Sequence, residues 1–512
     1  MGLHKFHIDK YELAAIAVTI ASFLYWSAFS INAYMTFHEY ADLAAFVQSF
    51  YFNLHYPSIA HGFQFLVYGN HIVPLFIILM PFFAAFQSPI TLLLAQVFVI
   101  SAAGLALFYA TRSLTKSPLI GLVFAAAFLL NPGVHGMILF DFHAEAFISL
   151  FYILSFYYGM KTYRWRFAIS FLLLMCTMEV APLLGIVLGA SIMAFSIRKS
   201  AFEPEKAQQR MRIGIFAIAM SLAFLFLYSY ISGYLYNAYP SSYGGLPSAL
   251  YVSVGSQNTI GSASVYAISH IRQTILLDYY SYGDFIRYLI FALLIVFAGF
   301  GIYAFSAPEE TLISSAPWLF MSFVLINKEF ILTWYQYFGF VIAPVATAAL
   351  LGVIRIKEKE GIAYMLLAKL GGNPFKASYI SAIAVSSFLC AISPAFFYSV
   401  NINNMVQDML FMPNSTVKLA EAQLQSIINM VPQNASLYSQ PFVSAHAAER
   451  VSTGQGTNYT TWPEYVITDF NSSISPNAAI GGQQYDTIEG FLSTHPYKLV
   501  ARNGTAELYK KI

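Results

Sequence analysis

The sequence predicts a mainly α, polytopic membrane bundle whose final part, from about residue 401, is a small extracytoplasmic α/β domain. Three observations lead there. The 512 residues are 58% hydrophobic and 10% charged, with a mean hydropathy of +0.62, whereas soluble proteins carry roughly 25% charged residues. Five Asn-X-Ser/Thr triplets, at Asn414, Asn434, Asn458, Asn471 and Asn503, all follow Met412, and such triplets accept N-glycans only on chain that has crossed a membrane. Lysine and arginine, which are retained on the cytoplasmic side, divide unevenly between alternate loops. A net charge of +2 offers nothing to attract a nucleic acid. Cys176 and Cys390 sit inside apolar segments and read as small core residues.

A helix needs about 20 apolar residues to cross the hydrocarbon, and about eleven segments approach that length. They are 13–35, 89–111, 118–138, 146–160, 167–178, 180–197, 213–233, 286–305, 311–326, 338–354 and 378–399. The first is too long for a signal-peptide core and reads as a retained helix. With the N-terminus inside, cytoplasmic segments hold Lys5, Lys10, Arg112, Lys116, Lys161, Arg164, Arg166, Arg198, Lys199 and the basic run 206–212. Arg355, Lys357, Lys359, Lys369 and Lys376 fall on the same side. The outer loops of the bundle hold Arg272, Arg287 and Lys328. An odd number of spans then carries the C-terminus outside, where the glycan triplets require it. These outward triplets suit a multi-pass protein of an archaeal plasma membrane.

Segment 72–86 is apolar but short, and Pro74 and Pro81 interrupt it. Were it to span, Arg112 and Lys116 would lie outside, so it is expected to rest along the outer leaflet; a short helix of the bundle core is the alternative. The bundle then occupies 1–400, with a long first outer loop at 36–88, and residues 401–512 form the outer domain. In that domain Glu421–Met430 reads as an amphipathic helix, and Ala435–Tyr438 and Tyr465–Asp469 read as strands.

Charges close to a membrane are costly and tend to mark function. On the outer side stand Glu39, Asp42, Asp141, Glu145 and Glu179, with Asp278, Asp284 and Glu329 in later loops. His38, His55, His61, His71, His135, His143 and His270 follow them. In Phe140–Glu145 polar and apolar residues alternate, so Asp141, His143 and Glu145 share a face if the stretch is extended; a solvated loop at a helix end is the plainer alternative. No outer histidines have the i, i+4 spacing of a zinc site. A divalent cation, Mg or Mn, held by carboxylates such as Asp42 suits the residues better.

Several motifs occur in order: Glu39-Tyr-Ala-Asp42-Leu-Ala-Ala-Phe46-Val-Gln48, Gly69-Asn70-His71, Asn131-Pro132, Phe140-Asp141-Phe142-His143-Ala144-Glu145 and Met178-Glu179. Val431–Ser436 and Glu464–Asp469 follow in the tail. Over nearly the whole chain this order resembles the membrane-protein family called domain of unknown function 2079. That family in turn resembles the GT-C-fold membrane glycosyltransferases, which take sugars from polyprenyl-phosphate carriers. Ala44 and Val47 stand where the family usually has glycine and a second aspartate. Met178 and Val180 flank Glu179 where it usually has lysine and aspartate.

The resemblance implies a GT-C-like bundle with a lipid-linked sugar as donor and membrane lipids as surroundings. A sugar on a lipid phosphate already has a good leaving group, so such an enzyme mainly deprotonates an acceptor hydroxyl and steadies the departing phosphate. Asp42 is then the expected base or metal ligand, with Glu39 and Glu179 as further catalytic acids. Asp141, His143, Glu145 and His71 are expected to bind substrate, and Arg272 or Lys328 to meet the phosphate. A transporter is the main alternative, although no inverted repeat is evident and the charges gather at one face instead of the midplane. A catalytically inactive scaffold or sensor is the other.

Overall fold

The computed structural model describes residues 9–39, 41–56, 67–68, 71–238, 285–297, 299–324, 336–360, 362–369, 415–450, 453–454, 462–469 and 482–512. The first helix, α1 (Lys10–Met35), starts on Asp9, whose carboxylate accepts the Tyr11 and Glu12 N–H groups at 3.0 and 2.9 Å. This capping satisfies donors that a helix end leaves open. Next come α2 (Ala41–His55), a two-stranded hairpin of β1 (Val67–Tyr68) and β2 (His71–Ile72), and α3 (Phe76–Ala85). Then α4 (Pro89–Thr115) and α5 (Pro118–Leu129) each begin with a serine cap followed by proline. Proline suits that position because its missing N–H would have been unpaired anyway.

After α5 the chain breaks at Asn131-Pro132 and continues as α6 (Pro132–Leu139), bent by 46° from α5. The Asn131 side chain accepts the Gly133 N–H at 2.8 Å and donates to the Ile295 carbonyl at 2.8 Å. The remaining bundle helices are α7 (Glu145–Met160), α8 (Arg164–Met175), α9 (Ala181–Lys199), α10 (Pro204–Ala238), α11 (Phe285–Val296), α12 (Gly301–Ala304) and α13 (Pro308–Val324). A 3₁₀ turn at Gln336–Phe340 leads into α14 (Ile342–Lys357), and α15 (Ile362–Lys369) follows. Where α9 meets α10 the backbones nearly touch, because a Cβ on Gly189 would lie 2.7 Å from the Gly214 carbonyl. Small residues allow such approaches between membrane helices.

Among the described residues five helices are long and apolar enough to cross a membrane, or six if the bent α5–α6 pair counts as one span. The expected eleven is a finer count than these residues carry. The segments read as spans 146–160 and 167–178 are helices of 16 and 12 residues. Segment 72–86 contains α3, ten residues around Pro81, about 15 Å long against the roughly 30 Å of hydrocarbon. Expected span 378–399 lies outside the described residues. Composition sees apolarity, which the shorter helices α3 and α7 share with true spans.

Basic residues of this bundle, with their partner acids, gather at one end. Arg112 pairs with Asp9 at 2.9 Å and Glu12 at 2.6 Å, Arg198 with Glu360 at 3.1 Å, and Arg355 with Glu309 and Glu310 at 2.7 and 2.6 Å. Lys199 pairs with Glu358, and Lys357 donates to the Thr115 carbonyl. The start of α1 and the ends of α4, α9 and α14 therefore meet in one belt. With 26 residues, α1 is about 39 Å long, so Glu39 beyond its far end stands at the opposite end of the bundle.

The C-terminal unit is α/β as expected. Five strands run in the order β4 (Thr453–Gly454), β3 (Leu437–Ser439), β5 (Tyr465–Thr468), β7 (Ala506–Lys511) and β6 (Tyr497–Asn503). Pairs β3–β4 and β3–β5 are parallel, and β5–β7 and β6–β7 are antiparallel. Alternation along the strands sends Leu437, Ile467 and Leu508 to one face, against Leu424, Ile427 and Ile428 of α16 (Ser415–Asn429). Tyr438 and Val466 take the other face, with Ile488 from the helix at Gly482–Thr494.

This unit is docked on the bundle. Phe37, just past α1, is a buried member of the C-terminal core, while Ala445 and Ala448 belong to the bundle core. The His446 ring stacks on Phe37 at 3.8 Å and on Tyr34 at 4.3 Å, and its Nε2 bonds the Tyr34 carbonyl at 2.7 Å. Phe37 has a left-handed backbone with φ of 59°, unusual for a bulky residue, and this turn swings its ring away from α1 into the docked unit.

Candidate functional site

The far end of the bundle gathers acids from two stretches that are distant in sequence. Past α1, Thr36 Oγ1 bonds His38 Nδ1 at 2.8 Å and the chain turns to Glu39. Asp42 lies in the first turn of α2, and Asp141 and His143 lie in the non-helical link between α6 and α7. Asp141 is completely buried, and its Oδ2 accepts the Leu43 N–H at 2.9 Å, tying the link to the start of α2. Its carboxyl also hydrogen-bonds that of Glu39, itself buried. Beside this pair, His143 Nε2 lies 3.4 Å from Asp42 Oδ2. His143 is buried, whereas the Asp42 side chain is 48% exposed. Glu145, buried in the first turn of α7, faces His143 closely enough for its charge to act there.

These environments set the protonation states. Burial pushes the Glu39 carboxyl up to about 7, against the opposing hydrogen bond with Asp141. Asp141 stands well above the ordinary aspartate range, through burial first, then the charge and hydrogen bond of Glu39 and the charge of Asp42. Two carboxyls this close do not both ionise readily, so the pair holds a proton at neutral pH. At His143 burial works against charge, yet the hydrogen bond to Asp42 and the charges of Glu145, Asp42 and Asp141 outweigh it. Its pKa lies above the ordinary histidine value, which favours an imidazolium facing the Asp42 carboxylate.

Glu39, Asp42, Asp141, His143 and Glu145 are thus brought to one place. Glu179 is buried in the turn before α9, where its Oε2 accepts the Ile72 N–H at 2.9 Å. Together with the Leu75 N–H to Cys176 carbonyl bond at 2.8 Å, it fastens the β2–α3 segment to the α8–α9 turn. His71 pairs with Tyr68 in the hairpin through its backbone. Arg272 and Lys328 lie outside the described residues. Ala44, Val47 and Met178, where the sequence departs from the family pattern, are packed in the hydrophobic core. Of the glycan triplets, Asn434 is exposed and Asn503 donates from its side chain to Ser426 Oγ at 2.7 Å. Asn414, Asn458 and Asn471 lie outside the described residues.

Sequence reasoning passed over Gln96. This buried α4 residue donates to the Met137 and Asp141 carbonyls at 3.0 and 3.1 Å and accepts the His143 N–H at 2.6 Å. A lone amide within an apolar span was the available signal. The docked segment Pro441–Arg450 was also missed, and it places Glu449 and the buried Arg450 near Tyr51 of α2. Among the described residues no three His, Cys, Asp or Glu form a set suited to a metal ion. The expected Mg or Mn therefore has no ligand set there, and no step is assigned to one.

Several helices apolar and long enough to span mark a polytopic membrane protein. The chain belongs to the family described as predicted membrane protein (DUF2079), which matches residues 12–487. No curated protein matches the chain.

Proposed function

We propose that this protein is a membrane glycosyltransferase that moves a sugar from a polyprenyl-phosphate carrier to an acceptor hydroxyl on the extracytoplasmic side. One observation carries the reading: Asp42 offers a half-exposed carboxylate, held beside His143, above a buried acid pair. Asp42 accepts the acceptor's proton as its oxygen attacks the sugar carbon and the bond to the lipid phosphate breaks. His143 holds the carboxylate in place, and Arg272 or Lys328 meets the phosphate. Because Asp42 is reachable and Glu39 is not, the base is Asp42, while Glu39, Asp141 and Glu145 shape its surroundings. Glu179 and His71 act through the segment that borders the site. In a transfer assay with membrane-borne donor, Asp42→Asn keeps the shape and removes the base, with an expected loss on the order of a hundredfold. Unchanged transfer would remove Asp42 from the chemistry, and donor-dependent solute flux in its place would favour the transporter.

The reading places the protein in the plasma membrane with its N-terminus cytoplasmic and its C-terminus outside, where Asn434 and the other triplets meet the glycosylation machinery. The belt of Arg112, Arg198 and Arg355 at the end remote from Asp42 supports this orientation under the positive-inside rule. Impermeant thiol labelling in intact cells tests it. A cysteine introduced near residue 434 should react and one near residue 205 should not; the reverse pattern overturns the orientation.

A further inference from the structure

Between Pro89 and Ala110, α4 carries no other amide and no charged group besides Gln96. A primary amide buried among apolar side chains is costly unless its donors and acceptor are all engaged. Here they are: both carbonyls and the one N–H it meets lie at or just beyond the end of α6. The Met137 carbonyl is in the last turn of that helix, where carbonyls lack intrahelical partners. The Asp141 carbonyl and the His143 N–H lie two residues apart in the non-helical link, within reach of the same side chain. One side-chain amide bonds both, as the backbone of a neighbouring strand would.

We infer that Gln96 is the positioning residue of this site: its amide aligns residues 141–143, so that Asp141 reaches Glu39 and the Leu43 N–H while His143 reaches Asp42. No neighbouring strand performs this task among the described residues. Gln96 touches neither Asp42 nor the half-exposed side of the site through these bonds, so it acts through the link. Phe142, fully buried beside it in sequence, anchors the link through its apolar ring, but a ring contact does not align a carbonyl with an N–H. This role rests on the transferase reading only where transfer is measured.

Two variants of the full-length protein, purified in lipid nanodiscs, test it. Gln96→Met keeps the length and apolar packing and removes all three hydrogen bonds. Gln96→Glu keeps the acceptor and, when protonated, one donor. Misalignment by about an ångström costs up to a hundredfold in rate, so Gln96→Met should lower kcat for transfer by a factor of about ten to a hundred, with KM for the lipid donor little changed. Transfer by Gln96→Glu should recover towards the wild-type level as pH falls and the introduced carboxyl takes up its proton.

A second readout needs no transfer. The Glu39–Asp141 pair should make the wild-type thermal midpoint fall as pH rises between 4.5 and about 7. Asp42 on α2, His143 and Glu145 on the link and α7, and Tyr34 on α1 with Glu449 of the docked unit also face this pair or its neighbours. They are retained in both variants. Gln96→Met should flatten that slope, because Asp141 is no longer held against Glu39; a residue that only fills space would lower the midpoint equally at every pH. If the wild type transfers no sugar, the transferase reading fails and the slope alone decides for Gln96. If Gln96→Met does not insert, Gln96→Leu, which adds no titrating group, decides: a flattened slope supports the role, and a uniform offset overturns it. Wild-type kcat together with a wild-type slope in Gln96→Met likewise overturns it.

Discussion

At one end of the bundle arginines meet carboxylates; at the other, carboxylates meet each other. Arg355 holds the exposed Glu309 and the buried Glu310, whereas Arg112 and Arg198 hold partly exposed acids that water also solvates. Such pairs contribute little to stability, and their value lies in holding helix ends together. At the far end Glu39 and Asp141 share a proton out of reach of water, and Asp42 stands half-exposed beside His143. A paired belt needs no chemistry to explain it. A buried acid pair, both members raised by burial above the ordinary carboxylate range, is the kind of arrangement that functional sites maintain.

The comparison is broken most strongly by undocking the unit that covers the acidic end. Phe37→Ala removes a buried ring from the C-terminal core and one face of the His446 stack. A loss of about 3–5 kcal/mol is expected, read by hydrogen exchange as increased opening of residues 441–450. Protection equal to wild type would mean that the two units are held together by other contacts.

A smaller effect separates the ends by pH. Glu39 is raised from 4.5 to about 7 in the folded protein. A raised carboxyl contributes its full stability below the unfolded value and loses it as pH rises through the folded one. Wild-type stability should therefore decline from pH 4.5 to about 7, and Glu39→Gln, which imitates the protonated acid, should abolish most of that decline. Thermal midpoints across that range check it, and an equal slope in both proteins would show that the pair does not carry the shared proton.

The smallest change belongs to the belt. Arg112→Ala removes the pairs to Asp9 and Glu12, with an expected cost of about 1 kcal/mol or less that shrinks as salt is raised. A cost several times larger, or one indifferent to salt, would mean that the belt is as desolvated as the acidic end.

Much of this arrangement was legible in the residues. Asp141, His143 and Glu145 alternate in Phe140–Glu145, and the expected topology sent them to the same side as Asp42. Gln96 was not legible, because its partners are backbone groups more than forty residues away, and a backbone carbonyl leaves no mark in a sequence. Phe37 and His446 escaped for a similar reason. Each looks ordinary until the two units are docked.

By itself, the sequence determined the membrane class, the family and the α/β texture of the tail, since all of these depend on composition, order and local periodicity. Helix lengths were only partly determined, because short helices such as α3 and α7 are apolar like the spans. The tertiary structure alone decided that Glu39 pairs with Asp141 while Asp42 remains half-exposed, and that Glu179 secures Ile72. Those outcomes depend on burial and on distances of a few ångströms between segments far apart in the chain, and proton affinity follows burial and distance more than residue type.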